Sequence, residues 1–199
     1  MNINPAIQTN ALGSFSVQSE GVIVGTAYPD PSTRFALAGG ILDNSETMPI
    51  WGGVACEELI PSSAAASPNP SLGGHIKRAT TVAQINGFTV FDQNYAAINA
   101  PQSPVPQTSI GGFVAFYRLG SGARIALEMD PALAIEGDPI TQQVSWDFVN
   151  QKLVVFATTA LPVRVLRTFT GNCMAPVWSG LPNQFLTWNR NAAAAIVLL

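Results

Sequence analysis

The residues best suited to nucleophilic, redox or metal chemistry are one histidine and two cysteines. His75 is the only histidine and follows two glycines that lead into an apolar run. A serine or cysteine hydrolase would have to use His75 together with a nucleophile and a third group that orients the ring. No nucleophile motif accompanies it, so the sequence favours a histidine in a loop or at a strand edge over a catalytic base.

Cys56 and Cys173 are far apart in the sequence. They form no C-x-x-C pair and have no histidine cluster beside them, which argues against a zinc-finger or thioredoxin-type site. Free cysteine commonly packs as a small hydrophobic residue. We predict two buried, unbridged thiols, with a disulfide as the alternative.

Acidic residues that could act as a glycosidase pair or bind calcium are isolated. Glu57 and Glu58 are adjacent, so in a strand they face opposite ways. Asp130, Glu136 and Asp138 share one loop, but without the spacing of an EF-hand, and turn formation by Asp-Pro pairs is the favoured interpretation. Motifs for phosphate loops, dinucleotide binding, zinc proteases and serine hydrolases are absent. Nucleotide-dependent and zinc-hydrolase functions therefore lose their usual support, and the sequence predicts no cofactor or metal.

The composition limits the partners. Charged residues make up 11% of the 199 residues, against about 25% in an ordinary soluble domain, and asparagine and glutamine outnumber them. The nine basic residues are scattered over a chain of net charge −3, so nucleic acid is not an expected partner. A hydrophobic content of 47% is enough to build one core, which excludes global disorder.

The sequence also predicts no membrane segment. Its first residues carry neither a basic residue nor an apolar stretch of the kind found in a secretory signal. The longest apolar tract, residues 192–199, is far shorter than the ~20 residues that span a bilayer.

Glycine and proline punctuate the chain in the manner of an all-β protein. The 17 glycines and 15 prolines separate short segments rich in valine, isoleucine, phenylalanine and threonine. We predict an all-antiparallel β-sandwich or barrel, jelly-roll-like, with little helix. Residues 1–20 are expected to form an extended N-terminal arm and residues 21–199 a single β domain. Three loops are expected, two of them proline-rich, at residues 61–70, 99–108 and 129–139.

Two hairpins stand out by their alternation of apolar and polar residues. The first joins residues 113–118 to residues 123–129 through a Gly-Ser-Gly turn, and its first strand is apolar on both faces. A second layer or a second subunit is expected to cover that strand. The second hairpin joins residues 142–148 to residues 152–156 and places Trp146 in the core. Further strands are predicted at residues 21–28, 35–42, 54–60, 78–85, 88–93 and 163–169.

Several strings resemble the structural cement, or decoration, proteins that coat the heads of tailed bacteriophages. The matching stretches are residues 34–42, 46–54, 101–106, 118–124, 130–133 and 141–148. They span most of residues 20–156, and the resemblance does not extend beyond about Leu161. It implies a non-enzymatic protein, made in the host cytoplasm and located on the virion surface, that ties neighbouring major capsid subunits together. It carries over no catalytic or metal residue.

Two segments are predicted to contact the major capsid protein. Residues 1–14 have too few apolar side chains to join a core, so they are expected to fold on binding. Trp51 is flanked by Pro49 and by two glycines, so its ring can protrude as an interface hot spot, with burial in the core as the alternative. The predicted contact residues are Met48, Pro49, Ile50, Trp51, Ile3 and Ile7.

The sequence also predicts an oligomeric state and leaves one alternative function open. Strands that are apolar on both faces, in a chain with so few charges, predict a homo-oligomer on the shell, either a dimer or a trimer. The alternative function is a β-sandwich carbohydrate-binding module on a viral or cell surface. In that case Trp51, Trp178 or Trp188 would be exposed and would stack on sugar rings.

Overall fold

The structure is a computed structural model that describes residues 21–28, 30–59, 74–91, 105–134, 143–179 and 185–199. These ranges contain eleven strands and three short 3-10 helices but no α-helix, so the all-β prediction is confirmed. The strands are β1 Val22–Ile23, β2 Leu37–Leu42, β3 Ala55–Leu59, β4 His75–Arg78, β5 Gly87–Thr89, β6 Phe113–Arg118, β7 Arg124–Glu128, β8 Val144–Asp147, β9 Lys152–Val155, β10 Arg164–Trp178 and β11 Leu186–Leu198. The 3-10 helices are Arg34–Ala36, Val82–Gln84 and Pro131–Ala134.

Five strands close into a small barrel in the order β2-β4-β3-β5-β6. Each of the five strands pairs with two neighbours, so none of them is an edge strand. The interior is apolar and filled by Leu42, Ile50, Val54, Cys56, Ile76, Val114 and Phe116. Gly40 is required here because a Cβ atom would lie only 2.5 Å from the Ile76 side chain.

A four-stranded sheet of order β1-β10-β11-β7 forms the second unit of the fold. Residues 22–28 hydrogen-bond to both β10 and β7. Val24 N donates to Met174 O at 2.9 Å, and Gly25 N donates to Ala126 O at 2.7 Å. Because this segment crosses one face closely, the residues beneath it are small: Ala126, Cys173, Ala175, Ala192 and Ala194 pack against Val22 and Val24.

The barrel, the sheet and the β8–β9 hairpin share the largest core. It joins Phe88 and Tyr117 of the barrel to Ile125 and Ala195 of the sheet and to Trp146 of the hairpin. The rings of Phe88 and Trp146 meet edge to face, with centroids 5.0 Å apart. The predicted second hairpin and the core position of Trp146 are therefore confirmed.

Strand β6 is buried on both faces within the chain itself. Val114 and Phe116 point into the barrel, while Ala115 and Tyr117 point into the shared core. A second layer of the same chain thus covers β6. Homo-oligomerisation stays a prediction, but β6 no longer supplies a reason for it.

The predicted first hairpin is wrong. Strand β6 pairs with β2 and β5 in the barrel, whereas β7 pairs with β11 in the sheet. The glycine turn between them carries the chain from one unit to the other. Gly122 N donates to Leu199 O at 3.0 Å, and Leu199 N donates to Ala123 O at 2.9 Å, so the C-terminal strand takes the place of the expected partner.

Two further predictions of the fold are wrong. The pairing is not all antiparallel, because β1 runs parallel to β10 and β2 runs parallel to β4. The strand expected at residues 78–85 is absent, since β4 ends at Arg78 and a 3-10 helix with a Thr81–Gln84 capping box follows.

Several predicted segments lie wholly or partly outside the described residues. These are the arm at residues 1–20, the loop at 61–70, and parts of the loops at 99–108 and 129–139. Among the described residues, no helix has the length and apolar character needed to cross a membrane.

Candidate functional site

A buried arginine fixes the loop between β2 and β3, where the predicted contact segment lies. The Arg78 side chain, at the end of β4, is only 9% exposed. Its Nη1 lies 2.6 Å from Glu46 Oε2, and its backbone N donates to Glu46 Oε1 at 2.7 Å. The guanidinium also donates to Met48 O at 3.2 Å and to Pro49 O. We call this arrangement the Arg78 clamp.

The electrostatics of the clamp follow from its burial. Burial lowers the pKa of Arg78, and the charge and hydrogen bond of Glu46 oppose that shift. A guanidinium remains protonated in proteins, so the clamp is a charged pair in a largely dry site. The Arg78 Nε atom is buried without a hydrogen-bond partner in the described structure. The clamp therefore sets the backbone of the loop by interactions that are costly to break.

An aromatic cluster joins this loop to the end of the β10–β11 ribbon. Trp51 stacks on Trp178 with ring centroids 6.4 Å apart and planes inclined by 13°. The Arg78 guanidinium carbon lies 5.0 Å from the Trp51 centroid, a cation–π contact. Phe91, which follows β5, meets Trp188 at 6.0 Å. Trp188 of β11 pairs with Pro176 of β10, and Trp178 lies two residues after Pro176 on the same strand. Trp178 and Trp188 therefore lie on the same face of the β10–β11 ribbon.

The predicted contact residues differ in burial and in what they pack against. Met48 and Pro49 are half-buried, with their carbonyls held by the clamp. Ile50 is only 2% exposed and fills the barrel, so its side chain is not available for a contact in this structure. Trp51 is half-buried and packs within the chain instead of protruding freely. Ile3 and Ile7 lie outside the described residues.

A narrow cleft runs beside the clamped segment. Trp51, Phe91, Gln107 and Phe113 are among its lining residues, and it has room for about one water molecule. Gln107 Oε1 is buried there without a hydrogen-bond partner in the described structure. A water in the cleft would satisfy this oxygen.

His75 has a structural partner. It is the first residue of β4, which lies between β2 and β3, and its Nδ1 lies 2.7 Å from Asp43 Oδ2. The Ser45 hydroxyl and backbone N–H both donate to Asp43 Oδ1, and these bonds with the His75 contact hold the pKa of Asp43 at about 2. Ser45 therefore hydrogen-bonds to the carboxylate and not to the imidazole, an order that differs from a Ser-His-Asp triad.

The other candidate groups are also engaged. Cys56 and Cys173 are free and buried, as predicted, in two different apolar clusters, and burial raises the pKa of both thiols. Glu58 pairs with Arg118 at 2.8 Å, and Asp130 pairs with Lys152 at 2.9 Å. Glu136 and Asp138 lie outside the described residues.

Comparison with known proteins finds no matching family model, curated protein or solved structure. Sequence reasoning missed one important residue of the site, Arg78. Its signal was weak, because Arg78 follows Lys77 in a short alternating strand and only the fold shows which of the two side chains points inward. What the arrangement can do is bind: it presents a fixed loop with half-exposed apolar groups beside clustered rings.

Proposed function

We propose that this protein is a non-enzymatic capsid cement, or decoration, protein that binds the outer surface of a tailed-phage head and ties neighbouring major capsid subunits together. The observation that carries the proposal is the Arg78 clamp. It fixes the backbone at Met48 and Pro49 while leaving both side chains half-exposed. A docking loop that is ordered before binding loses less conformational entropy on binding.

The chemistry of the loop supports a protein partner. Tryptophan is among the residue types most often found at interface hot spots, and half-buried Trp51 lies beside the loop, where the buried Arg78 holds it from within the chain. The low charge of the chain and the matching strings in residues 20–156 support the same proposal. It includes a dimer or trimer on the virion surface, synthesis in the host cytoplasm and a jelly-roll-like arrangement of the sheets.

The decisive experiment compares two charge-introducing variants in binding to phage heads that lack this protein. Met48→Glu places a carboxylate at the docking loop without removing the Met48 carbonyl that the clamp uses. Val149→Glu is the matched control, because Val149 is 91% exposed in the β8–β9 turn.

Co-sedimentation should show at least tenfold weaker binding for Met48→Glu and unchanged binding for Val149→Glu, with equal melting temperatures. No binding by the natural protein would refute the function. Equal binding by both variants would refute the site.

The N-terminal arm is tested separately. Deleting residues 1–14 should leave the thermal melt of the isolated protein nearly unchanged and weaken its occupancy on heads. Equal occupancy of the full-length and shortened chains after stringent washing would remove the arm from the proposal.

A carbohydrate-binding module is the second candidate, favoured by one observation. Two of the three tryptophans on which it depends, Trp51 and Trp178, stack on each other, and the third, Trp188, lies on the same ribbon face as Trp178. Aromatic rings grouped in this way can serve as a platform for sugars. Glycan-array binding that is lost in Trp188→Ala, combined with no binding to heads, would favour this candidate over the capsid protein.

A further inference from the structure

We infer that the exposed end of the sheet face that residues 22–28 cross, together with the adjacent β10 edge, binds an extended acidic segment of a partner protein. Strand register brings three arginines to this face. Arg124 lies opposite Leu198 on β11, and Leu198 lies opposite Arg164 on β10. The next row across the sheet begins with Arg167, opposite Ile196. We call Arg124, Arg164 and Arg167 the arginine face, and its identification does not rest on the capsid proposal.

No ion pair within the described chain neutralises the arginine face. All three side chains are exposed, and none forms an ion pair with a described residue. By contrast, Lys77 and Lys152 each hold a carboxylate. Arg124 is distant from Arg164 and Arg167 in the sequence, and the fold brings it to the same face.

Three other titratable groups face or flank this surface. Asp30 is half-buried, and hydrogen bonds from Ser32 and the charge of Arg124 lower its pKa. Tyr28 packs on the same face, and burial raises its pKa. Glu128 is on the same side of β7 but lies largely buried at the far end. The surface near Arg164 and Arg167 therefore remains cationic at neutral pH.

The β10 edge next to these arginines offers unused backbone groups. Strand β10 pairs with β11 along one side, whereas β1 covers only Cys173 and Met174 on the other. Along residues 164–170 no strand of the described chain occupies that outer edge. An extended peptide can add to such an edge through main-chain hydrogen bonds while its side chains give specificity.

The β10–β11 register predicts the spacing of the acidic residues in the partner segment. Arg164 and Arg167 are three residues apart yet face the same side, because the β10–β11 register shifts between Val165 and Arg167. A regular strand repeats its faces every two residues, so acidic residues at positions i and i+2 would meet both arginines. Half-buried Phe169, which packs under the Arg167 guanidinium at 4.7 Å, adds an apolar contact.

Two other occupants fit less well. A second copy paired edge to edge in antiparallel fashion would bring arginines of the two β10 strands close together, and like charges across a strand pair are unfavourable. Nucleic acid would gain little, because three arginines release few counterions and the chain carries a net charge of −3. Both become outcomes of the test.

The experiment measures binding of two fluorescent hexapeptides to the full chain by anisotropy. The acidic peptide is Thr-Glu-Val-Glu-Val-Thr, and the basic control peptide is Thr-Lys-Val-Lys-Val-Thr. The variant is the double charge reversal Arg164→Glu with Arg167→Glu. The single reversals Arg164→Glu and Arg167→Glu are measured as well, and their matched control is Arg190→Glu, one charge reversal at another exposed position, on β11.

Charge reversal should weaken binding of the acidic peptide about tenfold and strengthen binding of the basic peptide to a similar extent. Arg190→Glu should leave both unchanged. A version of the acidic peptide that is N-methylated at alternate residues should bind about tenfold more weakly, because it loses main-chain donors.

Four results would overturn the inference. They are no binding of the acidic peptide to the natural protein, an equal effect of Arg190→Glu, tighter binding of a thymidine oligonucleotide through the same arginines, and concentration-dependent dimers that depend on the β10 edge. Full binding by the N-methylated peptide would refute the strand-addition geometry.

Discussion

The Arg78 clamp and the arginine face use the same residue type in opposite ways. Arg78 is buried and donates hydrogen bonds to Glu46 and to two carbonyls of its own chain. Arg164 and Arg167 are exposed and form no ion pair within the described structure. A buried cation must be paired because desolvation is costly, whereas an exposed cation can remain free for another molecule. The first therefore governs stability and the second governs binding.

Removal of Arg78 should give the largest effect. Arg78→Ala leaves Glu46, whose side chain is 12% exposed, as an unpaired buried charge and frees the loop backbone. We expect a loss of about 3–5 kcal/mol in the free energy of unfolding, measured by urea denaturation. The control is Arg118→Ala, whose ion pair is half-exposed and should be worth less than about 1 kcal/mol. Equal small losses in the two variants would contradict the structural role of the clamp.

The second effect is a pH dependence of the free energy of unfolding, which originates at Glu128 of β7 in the four-stranded sheet. Burial raises the pKa of Glu128 from 4.5 to about 7, against the lowering effect of Lys152. The folded state thus holds a proton that the unfolded state has released, so stability is fully present below about pH 4.5 and is lost as the pH rises through about 7. The loss is on the order of 3 kcal/mol.

Urea denaturation between pH 5 and 7.5 checks this prediction. Glu128→Gln removes the titrating group and should flatten the decline. Asp43 does not interfere, because its pKa of about 2 places its own contribution, which is lost as the pH falls, below this window. A natural protein whose stability is constant from pH 5 to 7.5 would show that Glu128 is not buried as described.

The third effect tests whether Trp51 belongs to the chain or to a partner. Trp51→Ala should lower the free energy of unfolding by about 2 kcal/mol, because the ring loses Trp178 and the Arg78 cation–π contact. A double-mutant cycle with Trp178→Ala should give a coupling of about 1 kcal/mol. A ring that faces only solvent or a partner would leave the stability unchanged in Trp51→Ala. That result would contradict the assignment of Trp51 to the chain's own packing.

The smallest effect is expected at the arginine face. Arg164→Glu and Arg167→Glu should each change the free energy of unfolding by less than about 0.5 kcal/mol, because neither side chain has an ion pair to lose. Thermal denaturation provides the measurement. A loss of several kcal/mol would mean that these arginines are structural, as Arg78 is.

The parts of the fold that were predictable are local. The β8–β9 hairpin follows from strict alternation over a few residues, which a sequence displays directly. The β6 and β7 strands were recognised as strands, but their partners were not, because β2, β5 and β11 are distant in the sequence. Local patterns carry no information about such long-range pairing.

The site was predictable only in outline. Pro49 and the glycines after Trp51 indicated a turn, but not that Ile50 would fill the barrel or that Arg78 would hold the loop. The capping box of Thr81 and Gln84 was visible in the sequence and would have corrected the strand predicted at residues 78–85. The arginine face was hidden because a cross-strand row exists only once register is known.

The most direct test of the proposed function is an electron cryomicroscopy map of the mature phage head. We predict density for this protein on the outer surface of the shell, with Met48 and Pro49 against a major capsid subunit and with each copy contacting more than one subunit. A head whose outer surface lacks this protein, or a map in which Met48 and Pro49 face solvent, would contradict the account.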